Sequence, residues 1–300
     1  MLWDVRICRE LLIDIGKEIN YKEEYMVDKN AIEKNLLCCK RILEDNGLTI
    51  VGIFLYGSQN YNLDYEDSDI DLKAIVIPSI NDIVFNNKPI STTIDIPDGL
   101  CDIKDIRLMV QSWRKQNVNF MELLFTEYSY VNPLFYEFFR PLLAARETIV
   151  RYNEKRAVDC LRGFVYEKYY RLFKDTPSQH DEVTKYGYAA KQLVHMERLA
   201  SLLEHYMKRE PYMECLMVSP EERQKWIDLK TYSPNPLSVD EVKERSQKVI
   251  EIVEDNILNA EKYYGFTPSP QNEEVDKILN TFTEKCLKFS FKRELEEDNE

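Results

Sequence analysis

Two aspartates one residue apart, Asp69 and Asp71, follow the pair Gly57-Ser58 after ten intervening residues, in the stretch FLYGSQNYNLDYEDSDIDLKAIVI. Alternate residues of an extended strand point to the same side, so the carboxylates of Asp69-Ile70-Asp71 converge. Converging carboxylates repel one another and resist desolvation, and a hard divalent cation removes both penalties. Magnesium, or manganese in its place, suits this donor set because it shares oxygen ligands among carboxylates, water and phosphate. Glycine lets the backbone approach phosphate oxygens closely, and the serine hydroxyl and neighbouring N–H groups can donate to them. The chemistry this set points to is transfer of a phosphoryl-type group, which requires charge neutralisation, positioning and an activated hydroxyl.

A third carboxylate on a neighbouring strand would complete a site for two ions, and Asp95, Asp102 and Asp105 are the candidates. Asp102 is the choice, because it lies inside the apolar piece Leu100-Cys101-Asp102-Ile103. Asp105 directly precedes IRLMVQSW and reads as a helix cap, and Asp95 flanks the turn Pro97-Asp98-Gly99. Asp64, Glu66 and Asp67 crowd the same stretch and read as a solvated acidic loop. Lys73 continues the face of Asp69 and Asp71, where it could pair with an aspartate or reach a phosphate.

These residues need strands to hold them. VGIFLY (51–56) and IDLKAIVI (70–77) are short apolar runs bounded by Gly57-Ser58 and Pro78, and residues 90–106 read as a hairpin around Pro97-Asp98-Gly99. Before them, residues 28–45 place Ile32, Leu36, Leu37, Cys39, Ile42 and Leu43 near helical spacing between Asp28 and Asn46-Gly47. From about residue 134 the periodic segments are helical: YEFFRPLLAARETIVRYN, AVDCLRGFVYEKYYRLFK, KYGYAAKQLVHMERLASLLEHYMK, EERQKWIDLK and a long one from Val239 to Tyr264. The expected class is α+β, with a catalytic domain over residues 1–135, an all-α domain over 136–290 and a charged, disordered tail at 291–300. His180 reads as part of a solvated loop, and His205 trails its helix without a nameable partner.

Composition narrows the partners. A formal charge of −13 and a pI near 5.0 exclude broad coating of duplexes, whose affinity comes from neutralising many phosphates. No segment approaches the roughly 20 consecutive apolar residues of a membrane helix, and the start MLWDVRICRELL lacks the pattern of a signal peptide. Seven cysteines are scattered without a C-x-x-C pair, as in a cytoplasmic, reducing environment.

Gly57-Ser58, the ten-residue gap and Asp69-Ile70-Asp71 resemble the signature of the DNA polymerase beta superfamily of nucleotidyltransferases. The blocks GSQNYNLDYEDSDIDLKAIVIPS, CDIKDIRLMVQSWRKQNVNFMELLF and KQLVHMERL are similar, in order, to the bacterial and phage nucleotidyltransferases associated with RNA repair. Tyr61, Ser68, Asn117, Asn119 and Glu122-Leu123-Leu124 match that pattern, whereas Asn62 and Val118 stand where glycine and proline are frequent. The resemblance implies a small mixed sheet with flanking helices and a helical half as the other wall of a cleft. It also implies two divalent ions on Asp69, Asp71 and Asp102, with Asp102 helping the attacking hydroxyl lose its proton and Ser58 holding the outgoing phosphates. Lys191, His195 and Arg198, at i, i+4 and i+7, share one helix face. They match the family's Lys-x-x-x-His-x-x-Arg helix, which implies binding of a nucleoside triphosphate; as residues alone they read rather as a surface helix that pairs Glu197 or Glu204 with its basic neighbours.

The implied reaction moves a nucleoside monophosphate to an acceptor hydroxyl, an RNA 3′ end first among candidates, and releases pyrophosphate. The competing readings are an antitoxin-like enzyme that nucleotidylates a partner protein, and an inactive nucleotide sensor or scaffold.

Overall fold

The computed structural model describes residues 28–66, 68–264 and 273–297. The start MLWDVRICRELL lies outside the described residues. Helix α1 (Lys29–Asp45) is capped by the Asp28 carboxylate, which accepts from the Asn30 and Ala31 N–H groups, and Asn46-Gly47 ends it with Gly47 at φ 71°. Its residues Ile32, Leu36, Cys39 and Leu43 recur at helical spacing and bury against one face of the sheet.

Strand β1 (Thr49–Tyr56) leads into a short 3₁₀ turn at Ser58–Asn60, and β2 (Asp71–Ile77) returns antiparallel to it, with Tyr56 opposite Asp71. After helix α2 (Ile80–Val84), the expected hairpin is formed by β3 (Ser91–Ile96) and β4 (Gly99–Asp105). β4 lies parallel to β2, with Lys73 beside Asp102. Helix α3 (Ile106–Arg114), helix α4 (Val118–Met121) and a 3₁₀ turn at Glu122–Leu124 then lead to β5 (Ser129–Val131), which pairs with β1. The result is a mixed five-stranded sheet of order β3-β4-β2-β1-β5. β5 is too short for an alternation to be read from sequence.

Helices follow: α5 (Tyr136–Ala144), α6 (Arg146–Val150), α7 (Glu154–Arg171), α8 (His180–Tyr186), α9 (Ala190–Met207), α10 (Tyr212–Leu216), α11 (Pro220–Lys230), α12 (Val239–Tyr264) and α13 (Glu273–Glu297). Two segments expected as single helices are each broken. Ala145 leaves helical geometry between α5 and α6, and Gly187, at φ 81°, closes α8 before α9 begins. The larger difference is α13. Residues 291–297, expected as a disordered tail, continue this helix. Val275, Leu279, Phe282 and Cys286 anchor it in the core at helical spacing, and the Glu294 carboxylate accepts from the Ile80 N–H at 3.0 Å.

The sheet separates two apolar clusters. Ile53, Leu55, Leu72, Ala74 and Val76 meet α1. Phe54, Ile75 and Ile77, on the opposite face, join a continuous core that runs through α9 to Phe282 of α13. By strand alternation Asp71 and Lys73 lie on this second face, so the acids at the start of β2 look toward the helical half. Helix α9 packs between α7 and α12, and α13 returns to α3 and α5. No helix among the described residues is long and apolar enough to cross a membrane.

Candidate functional site

Gly57 leaves β1 at φ 83° and ψ −157°, a backbone conformation in which a side chain is strained, and its would-be Cβ points toward Asp71 Oδ2. The turn is tied from within: the Asn60 N–H donates to the Gly57 carbonyl at 2.9 Å, and the Leu63 N–H to the Ser58 carbonyl at 3.0 Å. It is also tied to the helical half, since the Val218 N–H donates to the Tyr61 carbonyl at 3.1 Å and Asn62 Nδ2 donates to the Val218 carbonyl at 3.3 Å. Asn62 sits at φ 62°, the left-handed conformation that a glycine supplies more freely. Val118 is the first residue of α4 after its cap Asn117, a position proline also favours. Asn62 and Val118 thus occupy backbone positions that glycine and proline would also fit.

Asp71 is half-buried at the head of β2, Ile70 is buried, and Asp69 is exposed just before it; both aspartates line one cavity. A chain of contacts sets this segment. Asn35 of α1 is fully buried, its Nδ2 donating to Asp98 Oδ2 at 2.7 Å while its Oδ1 accepts from the Asp98 N–H at 3.1 Å. The Asp98 carbonyl in turn accepts from the Ile70 N–H at 2.8 Å, between the two aspartates. The next residue, Gly99, lies so close that a Cβ there would stand 2.3 Å from the Ile70 carbonyl oxygen. Burial, and then the charge of Asp69, push the Asp71 carboxyl above the ordinary aspartate value.

Asp102 sits on the same face but is held by cations. Lys73 Nζ is 3.4 Å from its Oδ2 and Lys104 Nζ 3.5 Å from its Oδ1. Lys73 is itself buried, with its ammonium 3.4 Å from the Tyr56 ring centroid, and burial lowers its pKa against the pull of Asp102. Among the described residues no group of three His, Cys, Asp or Glu side chains stands close enough to hold a metal ion. The donors as arranged offer one cation the Asp69–Asp71 pair, and a second ion at Asp102 requires that carboxylate to leave Lys73 and Lys104. Of the alternatives, Asp105 is buried and caps α3, its carboxylate accepting from the Arg107 N–H at 2.8 Å, and Asp95 is exposed.

The cavity, about 420 Å³, lies between the Asp69–Asp71 pair and helix α9, and Asp102 is not among the residues that line it. Its lining includes Gly57, Ser58, Asp69 and Asp71 on the sheet side and Lys191, His195 and Arg198 on the other. A volume in this range suits a small-molecule ligand. Arg198 is 8% exposed; its guanidinium carbon lies 4.0 Å from the Tyr61 ring centroid, and its Nε and Nη1 have no hydrogen-bond partner. The surface pairing weighed from sequence does not involve it: Glu197 accepts from Trp226 Nε1 and pairs with Arg245, and Glu204 pairs with Lys208. Burial and the cations Arg198, Lys168, Lys191 and Lys230 hold His195 neutral, well below the usual histidine range.

No protein-family model and no curated protein sequence matches this chain.

Lys230 and Glu122 line the cavity although the sequence assigned neither a role in it. Lys230, the last residue of α11, lines it with its ammonium 4.2 Å from the Tyr65 ring centroid; burial and Lys191 lower its pKa to about 8. No local pattern relates α11 to residue 69. Glu122 is 5% exposed, and burial raises its pKa to about 7 while Arg198, Lys73, the Asn60 side chain and the Gly57 N–H act in the opposite direction. Its signal was an acid inside the apolar run FMELLF. Asp64 corrects an expectation: it is buried, its Oδ1 lacks a hydrogen-bond partner, and burial raises its pKa against Arg223 and Lys230. Glu66 is exposed as read, and Asp67 lies outside the described residues. Arg162 and Arg171 pair with Glu254 and Glu167. His205 has a partner after all, Glu210 at 2.5 Å, and His180 opens α8 against Asp175.

Proposed function

We propose that this cleft transfers a nucleoside monophosphate from a nucleoside triphosphate to an acceptor hydroxyl with release of pyrophosphate. The observation that carries the reading is Arg198: a buried guanidinium with two unpartnered nitrogens, facing a carboxylate pair across a cavity of ligand size. Buried guanidinium nitrogens left without hydrogen bonds cost free energy, and an anion that accepts from them removes that cost. Lys191 and Lys230 add positive charge to the same wall, and Gly57-Ser58 supplies a phosphate-binding turn opposite.

In this reading Arg198, Lys191 and Lys230 bind the β- and γ-phosphates, and neutral His195 hydrogen-bonds a phosphate oxygen without adding charge. Asp69 and Asp71 hold a magnesium or manganese ion, which when bound withdraws charge from the α-phosphate. Asp102, oriented by Lys73 and Lys104, receives the proton of the acceptor hydroxyl. That oxygen forms a bond to the α-phosphorus, and the bond from the α-phosphorus to the pyrophosphate oxygen breaks. An RNA 3′ end is the acceptor proposed, on the resemblance of the ordered blocks GSQNYN…DSDID, CDIKDI…MELLF and KQLVHMERL to the nucleotidyltransferases of RNA repair.

Crystals soaked with manganese and an α,β-imido triphosphate test the assignment of the cleft. The reading requires anomalous density between Asp69 and Asp71 and phosphate density at Arg198. A triphosphate bound elsewhere, or none, refutes it.

A further inference from the structure

Glu122 is a buried carboxylate on the floor of the cleft that the proposed transfer does not use. Five titratable groups face it, Tyr56 from β1, Tyr61 from the turn, Lys73 from β2, Arg198 from α9 and Tyr212 from α10, and the Asn60 side chain and the Gly57 N–H hydrogen-bond its carboxylate. It is 5% exposed, so water screens these interactions weakly. Of the two cations, Lys73 is already paired with Asp102 at 3.4 Å. Arg198 is therefore the cation that offsets the Glu122 charge, at longer range, and it is also the group on which the triphosphate reading rests.

Lys191 and Lys230 share the phosphates with Arg198, but of these three cations only Arg198 acts on Glu122, so an anion that draws on Arg198 leaves the buried carboxylate less compensated. Resting on the reading of the cleft as a triphosphate site, we infer that Glu122 takes up a proton when the triphosphate binds, so that binding is coupled to protonation of the cleft floor. The incoming phosphates claim Arg198 and place further negative charge beside Glu122. The site relieves the repulsion by forming one O–H bond on the carboxylate, with the proton drawn from buffer. The neutral acid gains a donor that it can offer to a phosphate oxygen or to the turn. The ionised carboxylate already titrates near neutrality, held up to about 7 by burial, so the proton is available at physiological pH.

The sign follows. The protonated cleft binds the anion more tightly, so affinity rises as pH falls toward 7 and levels off below it. His195 is the competing proton acceptor, since it also lies neutral beside Arg198, Lys168, Lys191 and Lys230.

Calorimetric titration of inorganic tripolyphosphate with magnesium, at pH 7.5 in two buffers of different ionisation enthalpy, reads the proton directly. Wild type and His195→Asn should take up a fraction of a proton more per bound tripolyphosphate than Glu122→Gln does. Equal uptake in wild type and Glu122→Gln, or uptake lost only in His195→Asn, overturns the inference. Wild type that binds no tripolyphosphate instead refutes the triphosphate reading beneath it. Should Glu122→Gln fail to fold, His195→Asn carries the test alone: its affinity must still tighten severalfold between pH 8.5 and 7, and a flat profile overturns the inference.

Discussion

Arg198 and Glu122 are buried charged residues that line the cleft. The guanidinium of Arg198 lacks hydrogen-bond partners on Nε and Nη1, so removing it breaks no bond at those atoms, although Glu122 loses the cation that offsets its charge. Arg198→Ala should weaken triphosphate binding about 10- to 100-fold, as loss of a charged hydrogen-bond donor does, with any loss of stability confined to pH values at which Glu122 is ionised. A clear loss of stability with unchanged affinity would make Arg198 structural. Asp71→Asn removes a metal ligand at constant side-chain volume and should lower transfer by at least about a hundredfold with the fold intact, read from initial rates and circular dichroism. Glu122 carries a stability signature of its own. Its pKa rises from 4.5 in the unfolded chain to about 7 on folding, so stability contributed by this group is intact below 4.5, falls as pH climbs to 7, and is level above. Glu122→Gln abolishes the dependence; its stability relative to wild type should grow across that window by at most roughly 3 kcal/mol, and a difference independent of pH contradicts the assignment.

At the scale of elements, the acids are placed by a hairpin that never enters the cavity. Asn35 fixes Asp98, Asp98 fixes Ile70, and Gly99 lets the turn close against the Ile70 carbonyl. Gly99→Ala puts a methyl into backbone atoms that have no free rotamer. It should cost about 1–3 kcal/mol or more and weaken metal binding at Asp69–Asp71, measured by manganese titration; an unaltered titration would show that the hairpin does not set the pair. How well the sequence disclosed these elements depended on range. α1, β1, β2 and the hairpin were legible because their signals are local: a cap at Asp28, apolar runs cut by Gly57 and Pro78, a turn at Pro97-Asp98-Gly99. The same alternation put Asp71 and Lys73 on one face. The pairing of Asp102 with Lys73 and Lys104 was not legible, since it follows from β4 lying parallel to β2 in one particular register. Nor were Lys230 or the burial of Asp64, which depend on how α11 meets a loop more than 150 residues earlier in the chain.

Across the whole molecule, the charge and the core are distributed unlike one another. The chain carries a formal charge of −13, yet the helical wall of the cleft presents Lys191, Arg198 and Lys230, so a small polyanion is attracted locally and repelled elsewhere. One apolar core joins the second face of the sheet to α9 and α13, and Phe282 of α13 sits in it beside Trp113 and Phe139, with ring centroids 6.1 and 5.9 Å away. Density of charge at the C-terminus hid that helix, although Val275, Leu279, Phe282 and Cys286 keep its period. Phe282→Ala should destabilise the protein by about 3–5 kcal/mol in denaturant unfolding; a loss below about 1 kcal/mol would mean that α13 is dispensable to the core. The chemistry itself is tested most directly by following the α-phosphate. The protein is incubated with α-labelled nucleoside triphosphates, magnesium or manganese, and pooled RNA, protein and small hydroxyl acceptors. Nucleotidyl transfer predicts label covalently attached to an acceptor, pyrophosphate released in equal amount, and both lost in Asp71→Asn. Tight triphosphate binding with neither product would contradict it and leave a nucleotide sensor in its place.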